Sequence, residues 1–390
     1  MPHPLREATV ALLADLVAFP TISQDSNRAL IDCLAGHLRA AGARVEVFQD
    51  ATGTKANLWA TLGPDRPGGI VLSGHSDVVP VADQSWTTDP FTLAQHGDRL
   101  YGRGTCDMKG FIAAAVTMAP VFAARLRDAP DARPLHFAFT HDEEVGCLGA
   151  QTLVALLRAR GAAPRMAIIG EPTTMRVIEG HKGCYEYTTR FVGHEGHGSQ
   201  PDRGVNAVEY AARYVTRLLD LKDALRARAP ADSRFDPPWT TINTGALTGG
   251  VAHNVIPGRA EIAWEMRPVQ RSDADFVRDD LHRFCTHSLL PAMQAAHPGS
   301  SITTEVIGEI DGLEPMQANA ARDLLLDLTG ANTTDLVAFG TEAGLFQSLG
   351  MDVVVCGPGD IAQAHKPDEY LALDHLDACL ALFDRLATRL

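Results

Sequence analysis

Short apolar runs that stop abruptly at polar or Gly/Pro-containing segments recur along this chain, and they restrict its fold more than any other feature. Leu135 to Phe139, Met166 to Ile169 and Val353 to Cys356 are each too short for a helix and predominantly apolar, as strands buried on both faces are. Between such runs the period changes. Ala8, Leu12, Leu13, Leu16 and Val17 recur at helical spacing, whereas Arg44 to Phe48 and Gly69 to Leu72 are bounded by turn residues. Alternating helices and strands predict an α/β domain built on a buried sheet. In such sheets functional groups collect where loops leave the carboxyl ends of strands.

From residue 180 to residue 308 the pattern differs. An extended segment leads into a helix-like stretch, Asn206 to Leu221. Long extended segments then run to Met266, a second helix-like stretch starts near Asp273, and another strand follows. Ile262, Trp264 and Met266 alternate with Glu261, Ala263 and Glu265, which suits a sheet covered on one face. The β-α-β-β-α-β order predicts an inserted ferredoxin-like α+β domain. Arg226 to Pro238 reads as a loop within it. The expected organisation is one domain from 1–179 and 309–390, interrupted by a second at 180–308. A length of 390 residues favours two cores over one.

A formal charge of -14, without clustered Lys and Arg, argues against a nucleic-acid partner. The seven cysteines are scattered, with no CxxC pair, and are expected to be reduced thiols. Arg6, Glu7 and Asp15 interrupt the N-terminal apolar stretch, so no continuous signal-peptide core is expected there. No apolar run approaches the roughly 20 residues that a membrane-spanning helix needs. The expectation is a soluble cytoplasmic protein with no membrane partner.

Five segments carry metal-type ligands. SGHSDVVP places His75 and Asp77 two residues apart, so that a carboxylate could orient an imidazole ligand; a histidine held in a capped loop is the plainer reading. YGRGTCDMKG puts Asp107 before a predicted helix, Met108 to Ala119, where helix capping is the simpler role. Its GRG is no dinucleotide fingerprint, because the third glycine is misplaced. THDEEVG sets three acids in a row after an apolar strand, where they repel one another unless solvent or cations compensate them. GEPTT adds Glu171 at another strand end, and AQAHKPDEY adds His365; each also has an ordinary turn reading.

Taken together and in order, GHSDVVP, GRGTCDMKG, DEEVG, GEPT and AHKPDE resemble the zinc-dependent deacylase and exopeptidase family over nearly the whole chain. The resemblance implies a zinc-peptidase-like catalytic domain with a mixed sheet, an inserted domain used for dimerisation, and hydrolysis of a small N-acyl amino acid. It implies two zinc ions per subunit, with cobalt or manganese as substitutes. His75, Asp107 and Glu171 would hold one, Asp107, Glu144 and His365 the other, with Asp107 bridging. Asp77 would orient His75, and Glu143 would be the general base. His197, in GHEGHGSQP, would reach the active site of the other subunit of a homodimer. Asn254 in HNVIPG, Arg267 in EMRP, and Gly340, Thr341 and Glu342 in FGTEAG match substrate-contacting positions. Arg267 would grip a carboxylate and Glu342 a side-chain ammonium. FGTEAG, GEPTT and GTCDMKGF look more like the deacetylase branch than the desuccinylase branch, and the same scaffold also carries aminoacylase and carboxypeptidase activities.

Overall fold

The computed structural model describes residues 2–129, 131–161 and 164–390. The chain forms two compact units. One comprises the residues through Gly180 together with Pro315–Leu336 and Thr341–Leu390; the other comprises His181–Glu314 and Val337–Gly340.

The first unit is built on an eight-stranded mixed sheet. Its strand order is Arg44–Gln49, Ala56–Leu62, Leu135–Thr140, Ile70–His75, Met166–Ile169, Asp352–Val355, Ile178–His181, Asp335–Val337. The four strands from Leu135–Thr140 to Asp352–Val355 run parallel, and their outer neighbours Ala56–Leu62 and Ile178–His181 are antiparallel to them. Ile70–His75 is buried along its whole length, which accounts for its lack of polar alternation. The helices Gly110–Asp128 and Leu373–Ala387 pack together through Phe383, whose ring meets Phe111 and Phe122 edge-on at 5.6 and 5.9 Å. Each such fully buried aromatic contributes roughly 1.5–3 kcal/mol from burial.

Two expectations need correction here. The helix predicted over Met108 to Ala119 begins at Gly110 and runs on through Pro120 to Asp128. The stretch Thr105–Asp128 is also long enough, and apolar enough over part of its length, to cross a membrane by length and composition alone. It is apolar because both its sides lie in the protein: from Gly110 to Ala119 only Thr117 is not buried.

In the second unit, Thr241–Gly249, Arg259–Arg267, Cys184–Val192 and Ser301–Ile310 form, in that order, an antiparallel four-stranded sheet. With the helices Ala207–Ala227 and Arg271–Phe284 this is a ferredoxin-like arrangement. Ile262, Trp264 and Met266 face its core. Asn206 caps the first helix by accepting the N–H groups of Val208 and Glu209. That helix runs to Ala227, so the start of the stretch read as a loop from Arg226 is helical.

Candidate metal centre

His75 ends its strand opposite Thr140, the last residue of the parallel neighbour, so the Asp142–Glu144 loop departs beside it. Glu171 follows the next parallel strand, Met166–Ile169, after a single glycine. Asp107 occupies the turn before the helix Gly110–Asp128. His365 lies in a loop after the short helical turn Ile361–Gln363. The loops carrying the cluster hold non-glycine residues in the left-handed region, with φ of 55° at Asp142 and Cys147 and 61° at His365. Such strain concentrates where surrounding structure fixes functional side chains.

The two oxygens of Asp107 face different imidazoles. Oδ1 is 3.0 Å from His75 Nε2, and Oδ2 is 3.2 Å from His365 Nε2. His365 Nε2 is also 3.1 Å from Glu144 Oε2, and His75 Nε2 is 3.9 Å from Glu171 Oε1. Atoms bound to one zinc at 2.0–2.1 Å in a tetrahedron lie about 3.3 Å apart, so these spacings fit shared cations. His75, Asp107 and Glu144, and likewise His75, Glu143 and Glu171, place ligand-type atoms within 4.8 Å of one another.

Electrostatics point the same way. Burial, followed by the neighbouring carboxylates, pushes Glu143 up to about 8. Burial and Asp107 raise Glu144, and the same two causes raise Glu171 well above the usual carboxylate range. His365 is pushed up to about 10 by its hydrogen bonds to Asp107 and Glu144. Burial opposes the charge on His75, yet its hydrogen bond to Asp107 and the charge of Glu171 raise it. These are acids crowded together and sharing protons, a condition that divalent cations relieve.

The remaining expected residues divide into three groups. Asp77 is buried beside the cluster, and its nearest contact with His75 is made through its main chain. His75 Nδ1 lies 2.9 Å from the Asp77 main-chain oxygen and 3.7 Å from Oδ1. The carboxylate also has partners of its own. It accepts the Ser23 hydroxyl at 2.7 Å and the Glu143 N–H at 3.1 Å, and so anchors the DEEVG loop.

Glu342 needs a larger correction. It is 1% exposed, and its two oxygens accept the hydroxyls of Ser73 at 2.5 Å and Thr140 at 2.7 Å. A carboxylate engaged beneath two strand ends does not present itself to a substrate ammonium. Thr341 beside it is buried, and its hydroxyl accepts the Ala343 N–H.

His197, Asn254, Arg267 and Gly340 belong to the second unit. His197 is exposed, with Nδ1 2.7 Å from the Ser199 hydroxyl, and the Asn254 carbonyl accepts the Gly198 N–H beside it. Arg267 donates to Glu265 at 2.9 and 3.1 Å. Sequence reasoning missed Glu369 and Arg103, a fully buried ion pair at 2.8 Å behind Asp107. The available signals were the final acid of AHKPDE and the arginine of GRG.

A sequence profile of peptidase family M20/M25/M40 matches residues 71–389, a span that contains all five residues of the cluster. The chain belongs to peptidase family M20/M25/M40. Within the family it is 38% identical over 364 residues to an acetylornithine deacetylase of Klebsiella pneumoniae (strain 342), covering 91% of each chain. Its fold is shared by a tripeptidase from Staphylococcus aureus, at 16% identity and a TM-score of 0.70 over all of both chains. A dinuclear metal binding peptidase of family M20 from Bacillus subtilis shares it too, at 15% identity and a TM-score of 0.65, covering 99% of this chain and 98% of that one.

Proposed function

We propose that this M20 hydrolase removes the acetyl group from N2-acetylornithine in the cytoplasm, giving ornithine and acetate, with two zinc ions per subunit. The observation that carries the reading is the position of Asp107, one oxygen toward His75 and the other toward His365. A carboxylate presented in this way suits a bridge between two cations. His75 and Glu171 would complete one site, and Glu144 and His365 the other. Imidazole and carboxylate donors without thiolate suit zinc, and also cobalt or manganese. The choice of acetylornithine is supported by the 38% identical relatives that carry that name.

Bound there, the ions would polarise the amide carbonyl and lower the pKa of the attacking water. Glu143 is left as the base because Glu144 is taken up by His365. Burial holds the affinity of Glu143 for a proton high, so it suits a group that takes a proton from water and passes it to the leaving amine. The Cys147 thiol, 3.5 Å from Glu143 Oε1, steadies it. Arg267 would grip the substrate carboxylate by paired hydrogen bonds, with Asn254 and Gly340 completing the substrate contacts. His197, supplied by the other subunit of a homodimer, would stabilise the developing oxyanion.

The test is to measure metal content on active protein alongside hydrolysis of N2-acetylornithine, N-succinyl-diaminopimelate and a dipeptide. The highest kcat/KM is expected for acetylornithine, with activity lost on chelation and restored by zinc. A higher kcat/KM for either competitor overturns the substrate assignment, and activity that survives complete metal removal overturns the metal reading.

A further inference from the structure

Glu369 and Arg103 are each 1% exposed, and burying a charged pair is costly unless its attraction and further hydrogen bonds offset the lost hydration. Glu369 uses both its oxygens twice. Oε1 accepts the main-chain N–H groups of Cys106 at 2.8 Å and Asp107 at 3.0 Å, while Oε2 accepts the Gly104 N–H at 3.0 Å and Arg103 Nη1 at 2.8 Å. The carboxylate thus holds three N–H groups of the turn that presents Asp107. Antiparallel pairing of Tyr370–Ala372 with Arg99–Tyr101 fixes Glu369 at that turn from the other side.

The network continues to a second ligand. Arg103 lies over the Trp86 ring at 4.9 Å, donates through Nη1 to the Lys366 carbonyl at 3.4 Å, and donates through Nη2 to Gln84 Oε1 at 2.6 Å. Gln84 Nε2 in turn donates to the main-chain oxygen of His365 at 3.0 Å. Asp107 and His365 are far apart in sequence and arrive on separate loops, yet their side chains meet at 3.2 Å. One chain of hydrogen bonds, Asp107 turn to Glu369 to Arg103 to Gln84 to His365 loop, spans the gap behind them.

We infer that Glu369, Arg103 and Gln84 are positioning residues that set the spacing between Asp107 and His365, and with it the affinity of this pair for a divalent cation. The inference rests on the metal-binding reading above. None of the three is among the residues that would hold the cation. They act by holding main-chain atoms, as outer-shell partners of metal ligands do, where substitution typically weakens metal affinity by about 10–100-fold.

The experiment is a zinc competition titration against a chromophoric chelator, with the cobalt(II) visible spectrum recorded in parallel. It compares the wild-type protein, Glu369→Gln, Gln84→Leu and His75→Ala, after each is shown to be folded by circular dichroism. Gln84→Leu, at a half-buried position, should weaken one equivalent by about 10–100-fold, leave the other near wild-type affinity and alter the cobalt spectrum. Glu369→Gln should weaken both equivalents, since Asp107 serves both. A purely structural role would instead lower the melting temperature of the metal-free protein while leaving titration and spectrum unchanged. That result in the folded variants overturns the inference alone. If Glu369→Gln does not fold, Gln84→Leu decides by the same criterion. A wild-type protein that takes up no zinc, or a His75→Ala variant that titrates like the wild type, overturns the metal reading itself and the inference with it.

Discussion

Glu143 and Glu144 are neighbours in sequence, but their surroundings separate their roles. Glu144 reaches His365 at 3.1 Å, while Glu143 is half-buried among carboxylates with the Cys147 thiol for company. Glu143→Gln is therefore expected to lower kcat by about 10²–10⁴-fold, the usual worth of a general base, while retaining two equivalents of metal. Steady-state kinetics paired with metal analysis checks this; loss of metal would make Glu143 a ligand. A second residue-scale prediction concerns His181, which is fully buried and pushed down from 6.5 to about 4 by desolvation. As pH falls the unfolded chain takes up this proton first, so the stability His181 contributes above pH 6.5 is lost as pH falls toward 4. The melting temperature of His181→Asn should accordingly decline less steeply than that of the wild type across this window. Equal slopes would mean that other groups govern acid unfolding.

At the scale of elements, the site depends on how closely the helix Gly110–Asp128 approaches the strand ends. A Cβ built at Gly170 would lie 2.0 Å from the Phe111 ring, and one at Gly357 would lie 2.0 Å from the Gly170 carbonyl oxygen. The glycine before Glu171 thus lets strand and helix pack at this distance. Gly170→Ala is expected to destabilise the protein by about 1–3 kcal/mol, the typical cost of overpacking, as measured by chemical denaturation. Wild-type stability in that variant would show that Phe111 can yield. The apolar runs and the Ile262–Trp264–Met266 alternation made most of these elements legible in the sequence, because burial on one or both faces leaves a periodic trace. The end of the helix was not legible: it runs nine residues past Ala119, through Pro120, to Asp128, with Phe122 packed against Phe383.

For the whole molecule, the proposed homodimer makes a complementation test possible. His197 lies exposed on the second unit, whereas Glu143 lies in the first. Mixing Glu143→Ala and His197→Ala subunits under conditions of exchange should restore up to about a quarter of wild-type activity, if each active site draws its base and its histidine from different chains and subunits pair at random. No recovery would count against sharing. What the sequence by itself determined was the alternation of helices and strands, the β-α-β-β-α-β segment, and the five segments that deliver imidazoles and carboxylates, since residue type and local period record them directly. What only the tertiary structure decided was which atoms face one another. Glu342 lies under Ser73 at a separation of 269 positions, and Glu369 grips the Asp107 turn from 262 positions away. Contacts at such range are chosen by the packing of whole elements and the need to satisfy buried polar groups, and neither leaves a periodic mark in the chain.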